Sequence, residues 1–279
     1  MHLGRYLGSA KPSYARWDTH RQGNKRVSGA PPLTERYNPF MLTIGIITDA
    51  HANLPALKAA LAALDAEGRE FVMHTGDAIG IGPHPAECLE LLLAQPGMRF
   101  VMGNHDEWFA HGLPKPQPAW MSDEEWRHQR WTHQQLTPAM REAVACWPDS
   151  ISLDLSRVQA TLCHYPRAGD GFAPIEKEPT GADLDCLFAG IRGDVVFYGH
   201  HHLRSDVQGR SRYVNPGALG CNAPGQARFA MLLIEDDGTW DVSLRSVPYD
   251  ASGLRRDYEM RDVPARETIL RIFQAPAAS

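Results

Sequence analysis

Seven side chains with oxygen or imidazole nitrogen donors stand in five short motifs along this chain. They are Asp49, His51, Asp77, Asn104, His164, His200 and His202. A donor set of oxygen and nitrogen without thiolate suits Mn²⁺, Fe, Zn²⁺, Co²⁺ or Ni²⁺ better than Ca²⁺ or Mg²⁺. Two such ions about 3.5–4 Å apart can clamp a phosphate and generate hydroxide at neutral pH. The motifs therefore indicate a hydrolase with two divalent metal ions, and Mn²⁺ is the first choice.

Each motif follows a short apolar run, and such a run between Gly and turn residues is typical of a buried strand. The runs are Leu42–Thr48, Phe71–Thr75, Phe100–Met102, Ala160–Cys163 and Val195–Tyr198. Ligands of open α/β sheets bind just beyond the carboxyl ends of strands. We therefore expect the five motifs to converge on one edge of one sheet.

Taken singly, each motif has an ordinary structural explanation. An Asp-x-His or a Gly-Asp after a strand is a common turn, and a single histidine such as His164 usually belongs to the core. The sequences Gly-Asn-His-Asp (103–106) and Gly-His-His-His (199–202) are more specific. The ordered combination of all five motifs, each at a strand end, favours the metal site.

The order of the motifs resembles that of the calcineurin-like metallophosphoesterase superfamily, whose five motifs are D-x-H, GD, GNH(D/E), H and GHxH. The resemblance covers about residues 41–250. It implies an α/β fold, a four-layer α/β-β/α sandwich of two mixed sheets flanked by helices. The order of elements along the chain also fits two packed sheets, because the second half is more antiparallel than the first.

The same resemblance implies how the ligands are shared between the two ions. One ion takes Asp49, His51, Asp77 and His202, and the other takes Asp77, Asn104, His164 and His200. A hydroxide that bridges the ions attacks phosphorus in line. His105 is not a ligand and assists the leaving group, and Asp106 orients it.

The substrate class is narrowed by one position in the second motif. Ser/Thr protein phosphatases and symmetrical dinucleoside tetraphosphatases have a phosphate-binding Arg there, where this chain has Ile81. The chain is more similar to the small prokaryotic phosphoesterase/phosphodiesterase branch, which implies small phosphomonoester or phosphodiester substrates. A nucleotide or protein phosphatase stays open as an alternative, as does a non-catalytic scaffold like the retromer subunit of the same fold.

Composition limits the partners and the compartment. Residues 1–40 hold seven Lys or Arg and two acids, so the rest of a chain with a net charge of −5 is acidic, which argues against an extended nucleic-acid surface. Five scattered cysteines indicate a reduced, cytoplasmic protein. No apolar stretch approaches the ~20 residues of a membrane helix. The oligomeric state stays open.

The chain divides into a tail and one domain. Residues 1–40 lack apolar periodicity and are predicted to be a disordered tail. The alternative is that translation starts at Met41, directly before the first strand, and that the tail is an over-extended reading frame. Residues 41–279 form the phosphoesterase domain, with a Trp-rich helical insert at about 107–150. We expect 255–273 to be a helix that packs on the sheet. The remaining polar candidates are expected to lie outside the site, on the surface or pointing away from it: His84, His111, His128, His133, His201 and Arg204.

Overall fold

The computed structural model describes residues 41–155, 157–169 and 171–274, so the predicted tail lies outside the described residues. The helices are α1 (Leu54–Ala66), α2 (Pro85–Leu93), α3 (Asn104–His111), α4 (Asp123–Gln134), α5 (Pro138–Val144), α6 (Gly181–Leu187), α7 (Leu254–Met260) and α8 (Arg266–Phe273). The strands are β1 (Met41–Ile47), β2 (Phe71–His74), β3 (Arg99–Phe100), β4 (Ser150–Leu155), β5 (Val158–Cys163), β6 (Arg167–Ala168), β7 (Gly171–Phe172), β8 (Val195–Phe197), β9 (Ser205–Gln208), β10 (Arg212–Asn215), β11 (Gln226–Glu235) and β12 (Trp240–Pro248). Among the described helices, none is long and apolar enough to cross a membrane.

Two mixed sheets form the centre of the fold. The first has the order β12-β11-β1-β2-β3 and the second has the order β4-β5-β8-β10-β9. Strands β1, β2 and β3 are parallel neighbours, and so are β5, β8 and β10. Antiparallel strands complete both sheets. Each sheet therefore has a parallel core whose carboxyl ends point the same way.

The apolar residues separate into layers that match this arrangement. Side chains from both sheets, among them Ile44, Ile46, Leu162 and Phe197, share one buried cluster between the sheets. A second cluster joins α1 and α2 to the outer face of the first sheet. A third joins α6 to the outer face of the second sheet. The predicted four-layer sandwich is confirmed.

The helix beginnings follow from local sequence. The side chain of Ser122 accepts a hydrogen bond from the backbone N–H of Glu125 at the start of α4. Thr137 does the same for Met140 at the start of α5, where Pro138 occupies the first turn. Such caps satisfy N–H groups that have no partner within the helix. The insert is helical, as the sequence predicts.

The C-terminal helices differ from the prediction. Helices α7 and α8 pack on the loops after β2 and β10 rather than on a sheet, because their apolar side chains cluster with Ile81, Ala218 and Cys221. The hydroxyl of Tyr258 donates to the carbonyl of Ile81 at 3.2 Å. The C-terminal segment thus covers the loop that follows Asp77.

Candidate metal centre

Both sheets contribute to the site. Asp49, Asp77 and Asn104 follow β1, β2 and β3, whereas His164 and His200 follow β5 and β8 of the other sheet. The expectation that all motifs share one edge of one sheet is therefore wrong. The two sheets pack face to face with their parallel carboxyl ends on the same side, so one site forms across both.

The first group of predicted ligands surrounds one point. Nε2 of His51 lies 3.0 Å from Nε2 of His202. The Asp49 carboxylate oxygen Oδ1 lies 3.6 Å from Nε2 of His51 and 3.7 Å from Nε2 of His202. A hydrogen bond from the Thr48 hydroxyl (2.8 Å) holds the other Asp49 oxygen.

The second group lies beside the first. Nε2 of His164 lies 3.3 Å from Oδ2 of Asp77, and Nδ1 of His200 lies 3.0 Å from Oδ1 of Asn104. Donor atoms of Asp77, His164 and His200 lie within 4.8 Å of one another. The rings of Tyr165 and Phe172 flank His200, with centroids at 5.2 and 5.1 Å.

Asp77 joins the two groups. Its Oδ2 atom lies 3.3 Å from Nε2 of His164 in the second group and 3.8 Å from Nε2 of His51 in the first. Its Oδ1 atom accepts a hydrogen bond from the backbone N–H of His105 at 2.9 Å, which fixes the orientation of the carboxylate. All seven predicted ligand residues thus lie together, with one carboxylate shared.

The tautomers of the histidines fit metal binding. Nδ1 lies 3.2 Å from the Ile79 carbonyl in His51 and 2.8 Å from the Thr75 carbonyl in His164. Nδ1 of His202 lies 3.1 Å from the side-chain oxygen of Asn222. Because each Nδ1 donates to an oxygen, each Nε2 of a neutral ring turns a lone pair toward the centre of the site. Burial lowers the pKa of His164 but the Asp77 carboxylate outweighs it and raises that pKa, so the His164 ring takes this form when it loses its Nε2 proton.

None of these three Nε2 lone pairs meets a good protein donor among the described residues. Nε2 of His164 is buried and makes no hydrogen bond of good geometry there, although the carboxylate oxygen Oδ2 of Asp77 lies 3.3 Å away. The Nε2 atoms of His51 and His202 face each other at 3.0 Å, an arrangement that a cation between them would stabilise. The residues present therefore fit divalent metal ions, as was predicted for Mn²⁺ and its alternatives.

Five of the seven predicted ligand residues have a strained backbone conformation. The φ angles of Asp49, His51, Asp77, His200 and His202 lie between 43° and 74°. Few residues other than Gly adopt this left-handed region, and each instance costs about 1–3 kcal/mol. A Cβ atom at Gly103 would collide with the Asp77 carboxylate, so the Gly in the third motif gives Asp77 its room. The surrounding fold must stabilise these conformations.

Burial and neighbouring charges set the ionisation of the site. Burial together with the charge of His164 lowers the pKa of His200 to about 3, so its ring is neutral at pH 7. Burial raises the pKa of Asp77, but the nearby His164 and His105 outweigh it and lower that pKa well below its usual range. A neutral imidazole and an ionised carboxylate are the forms that bind metals.

His105 lies beside the predicted ligands, but its partner differs from the predicted one. Its ring centroid is 5.1 Å from that of His51. Asp106 does not orient the ring, because its carboxylate accepts backbone N–H groups of Asp77, Ala78 and Gly103 at 2.7, 3.1 and 3.0 Å. That predicted role is wrong: Asp106 lies in the first turn of α3 and ties the loop after β2 to the helix.

Gln129 of the insert takes the place predicted for Asp106. Its Nε2 atom lies 2.7 Å from Nδ1 of His105, and both side chains are buried. Gly80 makes room for this contact, since a Cβ atom there would touch Nδ1 of His105. The sequence carries no signal for the pair, because Gln129 is an unremarkable polar residue on a helix of the insert.

The remaining polar candidates lie outside the centre. His201 turns away, and its Nε2 lies 3.3 Å from the Tyr198 hydroxyl. The expected exposure of His84 and His128 is wrong, since both are buried. Nε2 of His84 lies 3.0 Å from an Asp257 oxygen of α7. The C-terminal segment covers this part of the molecule, and no local pattern foretells that contact.

A sequence profile of the calcineurin-like phosphoesterase superfamily domain matches residues 42–237. The chain belongs to this superfamily. The match covers all five motifs, so the resemblance predicted from them is confirmed. Each calcineurin-like motif also occupies the strand end at which the sequence places it.

Two solved structures share the calcineurin-like phosphoesterase fold with this chain. A metallophosphoesterase from Sphaerobacter thermophilus has a TM-score of 0.62 at 24% identity, over 82% of this chain and 97% of that one. A hypothetical protein from Pyrococcus horikoshii OT3 has a TM-score of 0.70 at 20% identity, over 85% of this chain and 100% of that one. Both sources are prokaryotic, which is consistent with the predicted branch.

An uncharacterized protein from Methanocaldococcus jannaschii is 40% identical over 63 residues. The match covers 23% of this chain and 26% of that relative. The chain thus spans about a quarter of the length of this curated relative.

Proposed function

We propose that this protein hydrolyses small phosphoesters with two divalent metal ions bound at the candidate metal centre. The observation that carries the proposal is the position of Asp77, whose Oδ2 atom lies within 3.3 Å of His164 and 3.8 Å of His51. A carboxylate between two groups of nitrogen and oxygen donors is suited to bridge two ions. The oxygen and imidazole donors of the seven predicted ligands suit Mn²⁺, with Fe, Zn²⁺, Co²⁺ and Ni²⁺ as alternatives.

The metal ions, when bound, supply the positive charge that holds a phosphoryl group and activates water. Asn104 contributes a neutral amide oxygen at the first residue of α3, where the helix N-terminus also favours a phosphoryl group. The site is open toward solvent on the side of Asn104, His200 and His202, which are partly exposed. A substrate therefore approaches from that side.

His105 is positioned to donate a proton to the leaving oxygen. The Gln129 side-chain amide faces Nδ1 of His105, so Nε2 is the ring atom left to face the leaving oxygen. The imidazolium form of this ring can release its Nε2 proton to the leaving oxygen as the ester bond breaks, which leaves a neutral imidazole. Gln129 then acts as a positioning residue that holds the ring in place.

The surroundings of His105 favour small substrates. The ring of Trp108 lies 5.0 Å from that of His105, and the exposed Trp120 lies 6.0 Å beyond it. Ile81 is buried against the C-terminal helices, so it cannot bind phosphate as an Arg would at that position. We therefore expect little activity toward folded phosphoproteins.

A substrate screen tests the proposal. The purified chain, loaded with Mn²⁺, Fe²⁺, Zn²⁺, Co²⁺ or Ni²⁺, is assayed with para-nitrophenyl phosphate, bis(para-nitrophenyl) phosphate, cyclic nucleotides and a folded phosphoprotein. We expect turnover of one or more of the small esters, and loss of that turnover in His200→Ala and His202→Ala. His201→Ala is the matched control, because this neighbouring ring faces Tyr198 and should leave activity in place. Metal-loaded protein without turnover of any ester would favour the scaffold alternative.

A further inference from the structure

A cavity of about 390 Å³ lies within the helical insert. None of the seven predicted metal ligands lines it. Its wall contains four basic side chains, Lys115, Arg130, His133 and Arg141, together with Trp126, and no acidic residue lines it. We call it the insert cavity.

The positive charges around the insert cavity are not balanced by neighbouring acids. Lys115, Arg130 and Arg141 form no ion pair within the part of the chain that the structure describes. The residues three and four positions from Arg130 along α4 are Trp126, Arg127, His133 and Gln134, none of them acidic. The cavity therefore has a net positive charge.

Arg141 is the least exposed of these three charged side chains, since it is partly buried whereas Lys115 and Arg130 are exposed. Its guanidinium donates to the Phe109 carbonyl and lies 4.6 Å from the centre of the Phe109 ring. These contacts use few of its five N–H groups. A partly buried cation without a counter-ion is unfavourable, and a bound anion would offset that cost.

His133 adds a polar atom that has no partner. Its Nε2 atom is buried and makes no hydrogen bond to the described residues. Burial together with the charge of Arg141 lowers the pKa of His133 to about 4, so the ring is neutral at pH 7. This neutral ring belongs to the wall of the insert cavity and adds no positive charge to it at pH 7.

We propose that the insert cavity binds a small organic phosphate, whose phosphate group lies against Lys115, Arg130 and Arg141 and whose carbon skeleton lies on Trp126. Phosphate is favoured over a carboxylate because its second negative charge matches several cations, and its oxygens also suit the planar fork of Arg. The volume is in the range of ligand pockets, about 300–1,000 Å³, and leaves space for an organic group. Because this site needs no metal ion, the phosphate-binding proposal can fail without affecting the phosphoesterase proposal, and the reverse is also true.

The test uses anilinonaphthalene sulfonate, an aromatic anion with no phosphoester bond, in fluorescence titrations of the full chain. The double variant Lys115→Gln/Arg130→Gln removes two exposed charges of the cavity. Arg127→Gln is the matched control, since it removes one exposed charge from the same helix outside the cavity. Thermal unfolding confirms that the variants fold.

We expect the double variant to bind the probe at least about tenfold more weakly, as the loss of charged hydrogen bonds implies, and Arg127→Gln to bind it within about twofold of the unaltered chain. Trp126→Leu should also weaken binding. Adenosine monophosphate should displace the probe, whereas adenosine should not, both measured with a chelator present so that the nucleotide is not hydrolysed.

Three results would overturn the proposal. One is that the double variant binds the probe as tightly as the unaltered chain does. Another is an equal loss in Arg127→Gln, which would reflect the general charge of the helix. The third is displacement by adenosine as effective as by adenosine monophosphate, which would mean that the cavity does not select for phosphate.

Discussion

Nε2 of Gln129 lies 2.7 Å from Nδ1 of His105, so a helix of the insert holds the His105 side chain in place. The two residues are 24 positions apart. Both are buried, and the hydrogen bond fixes the plane of the imidazole ring relative to the metal centre. The insert thereby contributes to the site as well as covering it.

Replacement of Gln129 by Met should lower kcat by about tenfold and change KM little, because a buried hydrogen bond of roughly 1–1.5 kcal/mol is lost from the group that acts in the transition state. Steady-state kinetics with para-nitrophenyl phosphate measure this. Gln134→Met, at the exposed end of the same helix, is the control. An unchanged kcat in the metal-loaded Gln129→Met variant would show that the contact has no part in turnover.

Replacement of His105 by Ala should retain the metal ions and lower turnover by about 10²–10⁴-fold, the usual range for acid catalysis. Since a good leaving group needs little protonation, the loss should be smaller for para-nitrophenyl phosphate than for an alkyl phosphate. Metal content and kcat are measured on the same preparations. An equal loss for both esters would instead indicate that His105 positions the phosphate.

Asp77→Asn should release both metal ions more readily than His51→Ala does, because Asp77 lies between the two groups of ligands and His51 lies in one. Elemental analysis after dialysis against a weak chelator gives the number of ions per chain. We expect two ions in the unaltered chain. At most one tightly held ion in metal-replete protein would contradict the dinuclear proposal.

Metal binding at pH 7 should release about one proton from His164. Burial lowers the pKa of this ring, but the adjacent Asp77 carboxylate outweighs burial and raises the pKa to about 9 in the metal-free chain. The ring is therefore protonated at pH 7 and must lose its proton to bind a metal ion, so metal affinity should rise with pH up to about 9. Titration calorimetry in buffers of different ionisation enthalpy counts the protons. Binding without proton release would show that His164 is neutral or is not a ligand.

The sequence alone determined which residues come together at the candidate metal centre. Each of the predicted ligands stands at or just after the end of an apolar run, and the runs became strands with nearly the predicted bounds. This works because burial of a strand needs a local apolar pattern, and because parallel strands bring their carboxyl ends together. The helix caps at Ser122 and Thr137 were predictable for the same reason, since a cap involves only neighbouring residues.

Tertiary structure alone decided which groups hold those residues in place. Gln129 reaches His105 from the insert, and Asn222 reaches His202 from a loop after β10. The C-terminal segment contacts His84 through Asp257 and His128 through the Pro264 backbone, and both histidines are buried although the sequence suggests that they are exposed. These contacts join segments that are far apart in the sequence, and the separation along the chain does not determine how close the segments lie in space. They depend on how the insert and the C-terminal helices pack on the two sheets, which no local pattern of apolar and polar residues specifies.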